Sequence, residues 1–144
     1  MTAPPKLIVL ERTGRLARAL RTVIAGNLPV METRSLGQVF DELQAAQASM
    51  VVIDAAAIRP DQLIAGCFTA ARAYPLAATA VVLSRSQRDF QWQVREAGAI
   101  YVTFGQRRLE PLAAIAARHL QRSPKPAQTI AERILASMPL SGGR

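Results

Sequence analysis

A chain of 144 residues has the size of one ordinary domain and is long enough to bury a real core. Half of it is hydrophobic, yet no apolar run is long enough to span a bilayer. The formal charge is +8, carried almost wholly by arginine, and the single cysteine, Cys67, excludes an internal disulfide.

The opening residues, MTAPPK, lack the apolar core of an export signal, so a cytoplasmic protein is expected. Lysine occurs only at Lys6 and Lys125. The arginines are scattered, with Arg12, Arg15, Arg18 and Arg21 early and Arg107, Arg108, Arg118 and Arg122 late, as on solvated helix faces. Charge alone does not choose a partner.

Lys6 to Leu10 (KLIVL) is a continuous aliphatic run, the mark of a strand buried on both faces. Leu16, Leu20, Val23 and Ile24 follow at helical spacing, with Arg15, Arg18 and Arg21 opposite them and Gly26-Asn27 as the stop. Leu28 to Thr33 predicts a second strand, which Pro29 assigns to a sheet edge. Ser35 is placed to cap a helix carrying Leu36, Val39, Phe40 and Leu43. Met50 to Ile53 predicts the third strand.

Asp61, after Pro60, opens a helix through Leu63, Cys67 and Ala71 that closes at Tyr74-Pro75. Cys67 on that face reads as a small core residue. Thr79 to Leu83 (TAVVL) predicts the fourth strand, stopping at Ser84. Phe90, Val94 and Ala97 mark a fourth helix ended by Gly98. Ala99 to Thr103 predicts the fifth strand, and Leu109, Leu112, Ala113, Ala116 and Leu120 line a fifth helix. Five strands alternating with five helices imply an α/β fold: a doubly wound, five-stranded parallel sheet with helices on both faces. Function is then expected beyond the carboxyl ends of the strands.

The composition changes at Ser123. Residues 1–122 are expected to form the domain and 123–128 (SPKPAQ) a proline-rich linker. Within 129–144, Thr129-x-x-Glu132 makes a capping-box pattern before Ile130, Ile134, Leu135 and Met138, and the ending SGGR reads as disordered. Such a short amphipathic helix needs something to dock on.

Other chemistries lack their residues. The turn after the first strand, ERTGR, is no dinucleotide loop, and no phosphate-binding G-x-x-x-x-G-K motif occurs. One histidine, His119, and one cysteine are too few for zinc, and His119 reads as a half-exposed helix residue. Trp92 points away from the Phe90–Val94 face, either packed against the fifth helix or exposed as a docking anchor.

The strand-end residues are Glu11 and Arg12, Asp54, Ser84 and Phe104. With Ala97-Gly98-Ala99 before the fifth strand, this order resembles the receiver domain of bacterial response regulators, a flavodoxin-like fold, over about Lys6 to Arg122. The resemblance implies a first acidic position at Glu11, a phosphoacceptor at Asp54 and the phosphoryl-binding hydroxyl at Ser84. It also makes Tyr101 the aromatic residue that changes rotamer on activation. Two positions depart from it: Arg12 stands where a second metal-binding acid belongs, and Phe104 where a lysine belongs. Magnesium needs carboxylate and phosphate oxygens, and phosphoryl transfer rests on electrostatic stabilisation. The metal site is therefore expected to be lost, with no other cofactor, and Arg12 is expected to form an ion pair with Asp54.

The expectation is a non-catalytic, degenerate receiver that signals by binding protein, a partner or a second copy. The resemblance assigns that contact to the face of the fourth helix, fifth strand and fifth helix, here Trp92, Arg95, Tyr101 and Arg108, with Ile134 and Leu135 of the tail as a second contact. With no output domain after Arg122, any output runs through partners. One alternative is a regulator still phosphorylated at Asp54. Another is nucleic-acid binding through the Arg15, Arg18 and Arg21 row, which ranks last because no stacking platform or recognition-helix motif accompanies it.

Overall fold

The computed structural model describes residues 3–24 and 26–122. The expected linker and C-terminal helix, with Ile134 and Leu135, lie outside the described residues. Strands and helices alternate as β1 Leu7–Leu10, α1 Arg15–Val23, β2 Val30–Thr33, α2 Leu36–Ala45, β3 Met50–Asp54, α3 Pro60–Ala73, β4 Ala78–Leu83, α4 Gln91–Glu96, β5 Tyr101–Phe104 and α5 Glu110–Arg122. The sheet is wholly parallel in the order β2-β1-β3-β4-β5. This is the doubly wound architecture that the alternation predicts, and its switch point lies between β1 and β3.

The two-residue period of a strand builds two cores. Ile8, Leu10, Val51, Ile53, Val81 and Leu83 face a layer made by α2, α3 and α4, where they meet Val39, Leu43, Leu63, Cys67 and Val94. Leu7, Val9, Met50, Val52, Ala80 and Val82 face the other way, onto Leu16 and Leu20 of α1 and Leu112 and Ala116 of α5. Every residue of β1 is fully buried, as its unbroken aliphatic run requires. Each such leucine contributes about 1.5–3 kcal/mol of burial.

The boundaries differ in instructive ways. β2 is an edge strand, as Pro29 indicated, and its ladder starts at Val30 because proline has no N–H to donate. Ser35 does cap α2, its Oγ accepting from the Gln38 amide at 3.2 Å. In α3 Pro60 takes the first helical turn, and Ala70 rather than Ala71 faces the core. The fourth helix is shorter than its apolar pattern suggested: Arg85–Phe90 winds as a 3₁₀ helix and only Gln91–Glu96 is α-helical. β5 begins at Tyr101, and Ile100 is exposed.

Gly98 ends α4 at φ +119°, a conformation L side chains avoid, and a Cβ there would sit 2.7 Å from Ala71 Cβ of α3. The glycine of the Ala97-Gly98-Ala99 run is thus required twice, by backbone conformation and by helix approach. No helix among the described residues is long and apolar enough to cross a membrane.

Candidate functional site

β1 and β3 deliver Glu11 and Asp54 to the switch point, with Leu10 beside Ile53 in the sheet. Glu11 is only 1% exposed, and its chemistry is settled by α1. Its Oε1 accepts from the Leu16 amide and its Oε2 from the Ala17 amide, both at 2.7 Å. α1 has no side-chain cap of its own, since its N-cap is Gly14 at φ +90°. Glu11 supplies the missing acceptors and sets a carboxylate at the positive end of the helix.

Asp54 is half-buried at the end of β3, where its Oδ1 accepts from the Ala56 amide at 3.1 Å and caps a short 3₁₀ turn, Ala55–Ala57. Burial raises its carboxyl pKa above the ordinary aspartate value. The Ala56 amide opposes that shift, the Glu11 charge adds to it, and Arg12 opposes it least. The expected ion pair between Arg12 and Asp54 does not form: Arg12 is exposed, and the ion pairs among the described residues are Lys6–Glu42, Arg21–Glu32, Arg34–Glu32 and Arg59–Asp61. A long side chain whose guanidinium is well hydrated gains little from reaching a half-buried carboxylate.

Magnesium, which the receiver resemblance would place here, needs several oxygen donors free to face it. Glu11 spends both oxygens on backbone amides, and its neighbour is a cation rather than an acid. The residues present do not fit that ion, and no cluster of three or more His, Cys, Asp or Glu side chains suited to a metal occurs among the described residues.

Ser84 and Phe104 belong to a separate part of the strand-end surface. Ser84 is exposed and starts the 3₁₀ helix: its N–H donates to Gln87 Oε1 at 3.0 Å, and its Oγ lies 2.9 Å from Ser86 Oγ and 3.1 Å from Gln87 Oε1. Gln87 also donates to the Ala55 carbonyl at 3.3 Å, joining this turn to the one after Asp54. Gln87 was missed from the sequence, although Ser84-x-x-Gln87 is a capping-box signature. Phe104 is half-buried, with the Arg88 guanidinium carbon 5.6 Å from its ring centroid. An arginine from a neighbouring turn thus supplies a cation near the place of the absent lysine.

The residues expected to bind partners sit as follows. Trp92 is 74% exposed, so it does not pack against α5. Arg95 and Arg108 are exposed, and Tyr101 is half-buried against the α1–α5 core. Arg108 shares a cleft with Thr103, Phe104, Arg85 and Arg107, and neither Trp92 nor Arg95 lines it. Cys67 is buried and its thiol pKa is pushed up to about 12 by that burial, which leaves it inert. His119, half-buried, has Nε2 3.1 Å from the Ala48 carbonyl oxygen, a tie between α5 and the turn before β3.

No protein-family model and no curated protein matches the sequence. Solved structures do. The chain is similar to a response regulator from Thermotoga maritima, at 16% identity and a TM-score of 0.68 over 83% of this chain and 99% of that one. A protein described as a pilus assembly protein (cpaE) from Burkholderia thailandensis superposes with a TM-score of 0.62 at 22% identity, over 83% of this chain and all of that one. A CheY-like protein (tadZ) from Pseudomonas aeruginosa does so at 0.59 and 16% identity, over 85% and 98%. With its parallel sheet in the order β2-β1-β3-β4-β5 and an aspartate ending β3, the chain has the receiver-domain fold of response regulators.

Proposed function

We propose that this chain is a non-catalytic receiver-like module that signals by binding another protein, with neither phosphoryl transfer nor magnesium in its working cycle. The observation that carries the reading is the Glu11 carboxylate, whose two oxygens are each held at 2.7 Å by amides of α1. Drawing Glu11 toward a metal would break two charge-assisted hydrogen bonds and uncap a helix, a cost of several kcal/mol that one added ligand does not offset. β5 itself offers a hydrocarbon ring, Phe104, in place of the lysine, and the Arg88 cation beside it lies over that ring. Arg12 stands where the receiver resemblance has a second acid, so one carboxylate ligand is also missing.

A site without its switch suits constitutive binding, and a partner in place of a phosphate can bias any remaining two-state equilibrium. The exposed indole of Trp92, with Arg95 and the Tyr101 edge, forms the contact in this reading, since tryptophan, tyrosine and arginine dominate interface energetics. The structural neighbour described as a pilus assembly protein makes components of such an assembly the first partners to screen. A cytoplasmic location is part of the same reading.

The test is an amide NMR titration with magnesium, then with beryllofluoride as a phosphoryl mimic. The expected result is no localised change at Glu11 or Asp54. Saturable shifts at those residues would overturn the reading in favour of a regulator phosphorylated at Asp54. A partner pulled down by the wild type should also be retained by Asp54→Ala and lost by Trp92→Ala.

A further inference from the structure

Phe104 removes a charge from β5, yet the surface around it is strongly positive. Two adjoining clefts open beyond the carboxyl ends of β4 and β5. One, of about 380 Å³, is lined by Ser84, Arg85, Phe104, Gly105, Gln106 and Arg107. The other, of about 400 Å³, is lined by Arg85, Thr103, Phe104, Arg107 and Arg108. They share Arg85, Phe104 and Arg107, and no acidic residue lines either. Gly105, at φ +74°, turns the chain after β5 so that Gln106 and Arg107 return over this edge.

The arginines here have no internal work. The side chains of Arg85, Arg107 and Arg108 make no hydrogen bond or ion pair with another described residue. The Arg88 guanidinium lies over the Phe104 ring as a cation over an aromatic face. Elsewhere on the surface arginines do find acids: Arg21 and Arg34 share Glu32, and Arg59 holds Asp61. Bringing several guanidinium groups around one concave surface is repulsive, and an anion seated among them relieves that repulsion. Guanidinium forks match the oxygen spacing of phosphate and bind it through paired N–H···O contacts. The clefts have the size of small-ligand sites, whereas protein partners more often meet a flatter face.

We infer that this arginine-lined cleft binds a small phosphate-bearing ligand, its phosphate held by Arg85 and Arg107 and its organic part against Phe104. The site lies one or two strands away from Asp54 and needs neither metal nor phosphoryl transfer, so it stands independently of the reading given above.

The experiment is an amide NMR titration of the full chain with inorganic pyrophosphate at constant ionic strength, repeated with glutarate as a dicarboxylate of acidic side-chain type. The expected result is saturable shifts confined to Ser84–Arg88 and Phe104–Arg108. Affinity should fall about tenfold or more in Arg85→Gln and again in Arg107→Gln, and Asp54→Asn should bind as the wild type does. Both arginines are exposed, so the variants should keep the wild-type melting temperature, which checks that they fold. Three outcomes would overturn the inference: shifts that never saturate, shifts centred on Arg15 and Arg18 of α1, or wild-type affinity in both arginine variants. Glutarate binding as tightly as pyrophosphate would overturn it too, since the cleft would then select acidic side chains rather than phosphate.

Discussion

At Glu11 two carboxylate oxygens meet two backbone amides, so the smallest informative change is the loss of one oxygen. Glu11→Gln keeps the shape but turns an NH₂ group toward one of those amides, leaving a buried donor unpaired. The expected cost is about 2–4 kcal/mol, read as a lower urea midpoint with an unchanged slope. Asp54 behaves in the opposite sense. Its pKa is raised in the folded state, chiefly by burial, so its contribution to stability is full below the unfolded value of about 3.9 and is lost as pH rises through the folded value. Asp54→Asn should therefore stabilise the protein near neutral pH, by less than about 1 kcal/mol given partial solvent screening. The gain should vanish in acid, where the wild-type carboxyl is protonated. Thermal melts across that pH range measure it. Trp92, exposed and the sole tryptophan, should emit as a solvated indole, and Trp92→Ala should change stability by no more than about 0.5 kcal/mol. An unquenchable, blue-shifted emission would contradict the exposed placement on which the docking proposal depends.

Among the elements, two glycines with left-handed backbones separate conformational strain from steric clash. Gly98 has φ +119° and would place a Cβ 2.7 Å from Ala71, whereas Gly105 has φ +74° and nothing within 4 Å. Gly98→Ala should cost about 2–4 kcal/mol, because strain and overpacking combine against α3. Gly105→Ala should cost only about 1 kcal/mol, from conformation alone. Chemical denaturation of the pair decides whether α4 is held by close approach to α3, since equal losses would refute that. The short α4 has a related origin. Ser84 and Gln87 satisfy the first backbone groups of the segment as a capped 3₁₀ helix, so regular α-helix starts only at Gln91. That capping pair was legible in the sequence, as Ser35 was, but the apolar period of Phe90, Val94 and Ala97 concealed it.

Taken whole, the molecule has a strand-end carboxylate engaged in capping a helix and a positive edge on which the Arg85, Arg107 and Arg108 side chains make no hydrogen bond or ion pair with another described residue. Under the proposed metal-free cycle, an unchanged melting temperature is expected in millimolar magnesium, because a ligand stabilises only the state it binds. An upward shift that saturates would mean the carboxylates at the switch point can be recruited after all. Retention on heparin should weaken steeply with salt, because the net charge of +8 draws counterions, and that retention by itself identifies no partner. The α1 arginines are a poorer phosphate track than their spacing implies, since Arg21 is already bonded to Glu32.

The number, order and type of the elements were determined by sequence alone, because unbroken aliphatic runs must be covered on both faces and a four-residue apolar period must lie on one core. Sequence also placed Asp54 and Ser84 at strand ends. Only the tertiary structure decided what those residues touch. Glu11 is taken up by α1, whose N-cap Gly14 has no side chain and leaves the Leu16 and Ala17 amides to that carboxylate. Arg12 goes to solvent for want of a partner worth its hydration. Arg85, Arg107 and Phe104 become one surface because β4 and β5 are paired. Such contacts join residues far apart in the chain, and no local pattern encodes them.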